Sequence, residues 1–222
     1  MIELQSVETS YSSELIRKGI HLCSLSIPVI YYHITKDTAL SILIPLTLAF
    51  GLTDLARLFL PSFRGLYHRF FGFLLRNRER NTDNRRLNGA TYVLLSATLC
   101  VWLFPKVIVI TAFAILIISD SSAALIGRRF GRHPFLGKTR EGTSAFLVTA
   151  LLVVLFAPKI LYLPTEYLIG ALAALVGTFV ELLSGDLIDD NLSIPLSISL
   201  VMWGLYILLL PSINVFALEG AG

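Results

Sequence analysis

Apolar runs of roughly the length needed to cross a bilayer, about 20 residues, alternate with short polar or proline-bearing joints along most of the chain. They fall at 19–34, 38–60, 88–104, 106–118, 142–157, 165–184 and 192–210. One stretch breaks the pattern. Between Pro61 and Leu75, Phe63, Leu66, Tyr67, Phe70, Phe71, Leu74 and Leu75 recur at helical spacing, with Arg64, His68 and Arg69 on other faces. That is the signature of an amphipathic helix lying in the membrane interface. It leads into a charged loop, Arg76 to Arg86, too polar to enter lipid. The pattern predicts an all-α, polytopic membrane protein: about seven transmembrane helices plus one interfacial helix, in a single domain over 1–222.

Composition agrees. Apolar side chains make up 55% of the 222 residues and the mean hydropathy is +0.75, above the range of about 45–50% apolar usual in soluble domains. The net charge of +3 raises the question of a nucleic-acid partner, but topology accounts for it. With the N-terminus inside, only Lys36, Lys106 and Lys159 of the 18 basic residues fall outside, as the positive-inside rule requires. Nucleic acid is therefore excluded. The expected placement is the cell membrane, with residues 1–18, 61–86 and 127–142 in the cytoplasm. Cys23 and Cys100 lie far apart in apolar segments, without the spacing of a metal or redox motif. Residues 1–14 lack the basic start and apolar run of a cleavable signal, so the first span is expected to be retained, with a kink at Pro28.

The chemistry gathers at the cytoplasmic ends of the second, fourth and sixth spans. Asp120 ends an apolar run at a depth where a carboxylate costs up to about 2.5–3.5 kcal/mol on insertion scales, and is a functional candidate for that reason. After it comes a loop over 127–142 that holds Arg128, Arg129, Arg132, Lys138 and Arg140, punctuated by Gly127, Gly131, Gly137 and Gly142. Glycine lets backbone N–H groups approach an anion closely, and Arg and Lys neutralise phosphate. A true P-loop is excluded, because five residues separate Gly131 from Gly137-Lys138-Thr139 and no strand precedes them. Acids beside phosphate-binding bases suggest Mg²⁺, which takes one or two carboxylates plus substrate phosphates. Asp120 is the first candidate ligand, with Glu181 on a small-residue helix face and Asp190 behind it; Asn191 and Asp54, the latter three residues from Arg57, are supporting candidates. Asp186 and Asp189 suit helix capping. His21 could contact a head group, whereas His33, His68 and His133 have no evident partner. A transporter would place coupling residues near the midplane, so chemistry at one face favours an enzyme using cytosolic reagents.

Four pieces together, Arg17-Lys18-x-x-His21, Asp120-x-x-Ala123-x-x-x-Gly127-Arg128-x-x-Gly131, Lys138-x-x-Glu141-Gly142-Thr143, and Glu181 followed by Asp190-Asn191-x-x-x-Pro195, resemble the CTP-dependent lipid-alcohol kinases. That family contains dolichol kinase, phytol kinase and the yeast-type diacylglycerol kinase. The central block is also similar to CDP-diacylglycerol synthase, but the extended acidic C-terminal signature of that enzyme, with its Lys-Asp pair, is missing. Ser119 stands where the family pattern has Gly, and Thr139 where Ser is common. The resemblance implies transfer of the γ-phosphoryl of CTP to a membrane-embedded alcohol (a polyprenol, phytol or diacylglycerol), with Mg²⁺ as cofactor. It implies catalytic roles for Asp120, Lys138 and Glu141, and phosphate contacts from Arg17, Lys18, Gly127, Arg128, Gly131, Arg140 and Thr143. Asp120 could serve as metal ligand or as base. The alternatives are a CTP:phosphatidate cytidylyltransferase and a non-catalytic transporter or scaffold for anionic lipids.

Overall fold

The computed structural model describes residues 15–60, 62, 63, 65, 67, 69, 87–184 and 189–219. In chain order these form helices α1 (15–23), α2 (Ser26–His33), α3 (Lys36–Phe59), α4 (Gly89–Leu103) and α5 (Lys106–Phe130). A hairpin follows, β1 (Pro134–Phe135) and β2 (Lys138–Thr139), then α6 (Arg140–Phe156), α7 (Pro164–Leu183) and α8 (Asp190–Leu209). Residues 62, 63, 65, 67 and 69 are helical as well; the rest of the interfacial helix and loop expected over 61–86, and Asp186, lie outside the described residues. Helix starts are set by side chains that take up otherwise orphaned N–H groups. Thr35, Asn88, Thr139 and Asp189 accept from Thr38, Ala90, Gly142 and Asn191 respectively.

The protein is an all-α, multi-pass membrane protein. Helices α3, α5, α7 and α8 are long and apolar enough to span, and α4 is a shorter apolar helix. Helix α5 is the axis: 78% of its most apolar stretch is buried, against 17% for α3, which packs on α4 and turns its other faces outward. Around α5 stand α6, α8, α2 and α4, while α7 packs between α6 and α8. One face of α7 carries Gly170, Ala173, Ala174, Gly177, Thr178 and Glu181, all buried. A Cβ on Gly170 would come within 2.5 Å of Val154, and one on Gly177 within 2.7 Å of Ile198. Small residues are what let membrane helices approach this closely.

Three sequence expectations need correction. The first span breaks after α1, at residues 24–25, and not at Pro28, which sits in the first turn of α2; there a proline costs no helical hydrogen bond. Asp120 does not end its helix. α5 continues to Phe130; within it the Ser121 and Ser122 hydroxyls donate to the Ile117 and Ile118 carbonyls at 2.7 and 2.8 Å, and Arg128 and Arg129 suit the negative end of the helix dipole. The expected loop over 127–142 is therefore a helix end followed by a hairpin.

Asp54 ties α3 to α4. It is 1% exposed and Arg57 is 0% exposed; the two pair at 3.1 Å. Asp54 also accepts from the Asn88 N–H and the Thr91 hydroxyl, both at 2.6 Å, pinning α3 to the start of α4. Tyr67 completes the group, its ring under the Arg57 guanidinium and its hydroxyl accepting from Asn88. Removing one partner of a buried pair leaves an uncompensated charge. Asp54→Ala is expected to destabilise the detergent-solubilised protein by about 3–5 kcal/mol, read as a lowered thermal midpoint; an unchanged midpoint would show the pair to be idle.

Candidate active site

Helix α1 is aligned by three residues on its packed face: Arg17 half-buried, Lys18 only 2% exposed, and His21. The Lys18 ammonium donates to Asp120 Oδ2 on α5, and His21 Nε2 lies 3.6 Å from the same oxygen. The carboxylate that arrives at membrane depth is thus met by a cation from an element about 100 residues away in sequence. That partnership is the first half of the site.

The hairpin builds the second half. Leu136 and Gly137 both have positive φ, 47° and 81°, as a two-residue turn with a twist matched to its strands requires. Pro134 pairs with Thr139 and Phe135 with Lys138. Lys138 then donates to both the side chain and the backbone carbonyl of Glu181 at the end of α7. Of the four glycines of this segment, Gly137 takes the positive-φ turn position and the other three sit at close contacts. A Cβ on Gly127 would lie 3.0 Å from Thr139 Oγ1, and one on Gly142 3.0 Å from the Ala123 carbonyl. On Gly131 it would sit 2.2 Å from the Gly127 carbonyl. Together they seat the hairpin and the start of α6 against the end of α5.

The two halves are neighbours: Asp120, Asp190 and Lys138 all act electrostatically on Glu181. Helix α8 delivers Asp190 and Asn191, whose amide donates to Asp189 at 2.8 Å. Pro195 lacks the N–H that would bond back to the Asn191 carbonyl. Two buried oxygens here, Glu181 Oε2 and Asn191 Oδ1, have no hydrogen-bond partner among the described residues; the Thr143 hydroxyl is in the same condition. Such groups cost about 1–3 kcal/mol each when left unsatisfied. Arg128 and Arg140 are exposed on the same end, Arg140 over the Phe135 ring.

Two pairings escaped the sequence reading. His133 Nδ1 donates to Glu141 Oε1 at 2.7 Å, a contact hidden because it closes across a turn and not along a helix face. At the opposite end of the bundle, Glu166 accepts from the Ile160, Leu161 and Leu163 N–H groups and the Tyr206 hydroxyl. Lys159 there donates to the Val154 and Ala157 carbonyls; burial pushes its ammonium down, opposed by Glu166.

Apolar helices enclosing ionic pairs contributed by α1, α5, α7 and the hairpin, with α8 at their side, define a multi-pass membrane protein with its polar centre at one end. Among known proteins, the chain is 34% identical over 182 residues to an uncharacterised protein of Rickettsia prowazekii, RP860, covering 82% of this chain and 89% of that one. It belongs to the same family. It is also 32% identical over 121 residues to CTP-dependent diacylglycerol kinase 1 of Saccharomyces cerevisiae, and 28% over 89 residues to the enzyme of that name in Schizosaccharomyces pombe. Those matches cover 53% and 40% of this chain but only about two fifths of each kinase, 40% and 39%. No family model matches the chain, and no solved structure does.

The Glu141 carboxyl is held down to about 2 from 4.5, first by the His133 hydrogen bond and then by backbone N–H groups. A depressed carboxyl contributes stability that is complete above its unfolded value and disappears as pH falls toward the folded one. The pairing should therefore be intact at pH 5 and lost approaching 2. Carboxyl-carbon NMR of Glu141 should report a midpoint near 2 that rises toward 4.5 in His133→Ala; an ordinary midpoint in the unsubstituted protein would contradict the pairing.

Proposed function

We propose that this protein is a lipid kinase that transfers the γ-phosphoryl group of CTP to the hydroxyl of a membrane lipid alcohol, releasing CDP and the lipid monophosphate. The observation that carries the reading is the pair of lysine–carboxylate contacts at one end of an apolar bundle, Lys18 with Asp120, both buried, and partly exposed Lys138 with buried Glu181. The distant kinship with CTP-dependent diacylglycerol kinases supports a reaction of lipid-kinase type in general; CTP as donor and the identity of the alcohol are part of the proposal. So is the orientation, with this end in the cytoplasm, which rests on the distribution of Lys and Arg.

Phosphoryl transfer needs mostly positioning and charge neutralisation. In this reading Lys138, Arg17 and Lys18, with Arg128 and Arg140 at the rim, take the triphosphate. The alcohol oxygen attacks the γ-phosphorus, the bond to the β–γ bridging oxygen breaks, CDP leaves, and the hydroxyl proton passes to Asp120. The tail stays among the helices, with its head at Asp120.

The donors suit Mg²⁺, a hard ion that prefers oxygen and takes several ligands from phosphates and water. Glu181 Oε2 and Asn191 Oδ1 are buried oxygens without a hydrogen bond, and Asp120 and Asp190 add negative charge nearby. Among the described residues no group of three or more His, Cys, Asp or Glu could hold a metal by itself, so these two oxygens would hold the ion together with the nucleotide. When bound, it would neutralise charge on the transferred phosphoryl.

Purified protein given γ-labelled CTP, Mg²⁺ and a panel of polyprenols, phytol and diacylglycerol should move label into the organic phase with one alcohol. Asp120→Asn should lower turnover by about 10²–10⁴, the range for loss of a positioned acid or base. Near-normal turnover in that variant would remove Asp120 from the mechanism. Pyrophosphate released with phosphatidate, and no labelled lipid, would replace the kinase with a cytidylyltransferase.

A further inference from the structure

Lys138 reaches Glu181 from a strand of only two residues, and so short a ladder does not hold a charged side chain in place unaided. The hairpin is instead tied at its base. His133 Nδ1 donates to Glu141 Oε1 at 2.7 Å, the His133 N–H points to Glu141 Oε2 at 3.4 Å, and the Arg140 N–H donates to the His133 carbonyl at 3.0 Å. Residue 133 precedes β1 and residue 141 opens α6. The pair therefore joins the free side of the hairpin to the helix whose first turn is already capped by Thr139.

Both oxygens of Glu141 face the backbone and ring of His133, leaving the carboxylate committed to the hairpin. Of the neighbouring charges, Arg140 lies over the Phe135 ring at 5.8 Å, and Arg132 is exposed. Lys138, two residues before Arg140, holds the α7 end of the site through Glu181.

We infer that His133 and Glu141 form a clasp that fixes the hairpin so that Lys138 is presented to the phosphate site, making both of them positioning residues. Glu141 then acts through Lys138 and does not touch the reacting atoms. His133, for which the sequence offered no partner, gains a task. The functional consequence rests on the lipid-kinase reading; the clasp itself does not.

The His133 side chain is 68% exposed, so its replacement leaves the core intact. Three variants test the clasp in the full-length protein in detergent: His133→Ala, Glu141→Gln and the double variant, with His133→Asn as rescue, because an asparagine amide nitrogen can stand where Nδ1 stands. The first readout is independent of activity: the rate of trypsin cleavage after Lys138, followed by mass spectrometry. Cleavage tracks the population of the opened segment and is expected to quicken about tenfold in each single variant. Residues that act as one unit are non-additive, so the double variant should be no faster than either single, and His133→Asn should return toward the unsubstituted rate. In kinase assays the nucleotide KM should rise about tenfold with kcat changed less than about threefold, as when binding and not the chemical step is lost.

Cleavage unchanged in both single variants would overturn the clasp. A kcat loss of about 10² or more in Glu141→Gln with KM and cleavage unchanged would also overturn it, and would make Glu141 a catalytic residue. If the unsubstituted protein transfers no phosphoryl group to any alcohol, the kinase reading fails while the cleavage rates still decide the clasp.

Discussion

A carboxylate buried within a long apolar helix of a membrane protein has to find a cation, and Asp120 finds Lys18. Much of the architecture serves that meeting. α1 is a short separate helix with its own packed face, α5 runs on past Asp120 instead of stopping at it, and the break at residues 24–25 separates the direction of α1 from that of α2. The same condition is met a second time by Lys138 and Glu181. Two ammonium groups and two carboxylates then sit together in mutual balance. An incoming polyphosphate accompanied by a divalent cation could exchange with them pair for pair, so that no charge is left buried alone.

Glu166 shows what the site would look like if it were purely structural. Its carboxylate is 0% exposed and accepts from three backbone N–H groups and the Tyr206 hydroxyl. That is full satisfaction, and it serves to fold the 157–163 connection onto α7 and α8. Glu181, on the same helix at the other end, is 4% exposed and keeps one oxygen without a hydrogen bond. Both carboxylates are equally hidden, yet only one has unspent bonding capacity. Burial alone does not distinguish the two acids; the tally of their hydrogen bonds does.

The glycines connect these parts. Gly127 and Gly142 let α5 and α6 cross where the hairpin returns, and Gly170 and Gly177 let α7 approach α6 and α8. Close helix contact at these points carries Glu181 inward to meet Lys138. The backbone thus places the site mainly through steric room, and the charged side chains only close the last gap.

Much was legible in the sequence because the bilayer imposes a strong constraint. Apolar runs of spanning length and proline-bearing joints marked where most helices lie, though not the length of α5 or the break between α1 and α2, and the cost of charge in hydrocarbon singled out Asp120, while Lys18 emerged only from the motif resemblance. The motif pieces ordered along the chain already suggested one centre. Tertiary structure decided the rest: that Lys18 faces Asp120 and Lys138 faces Glu181, that Asp54 and Arg57 join α3 to α4, that Gly127, Gly131 and Gly142 sit at close contacts, and that His133 holds Glu141. Periodicity reports which face of a helix is buried but not which distant helix buries it. Contacts made across a hairpin turn, or between elements about 100 residues apart, leave no local pattern to read.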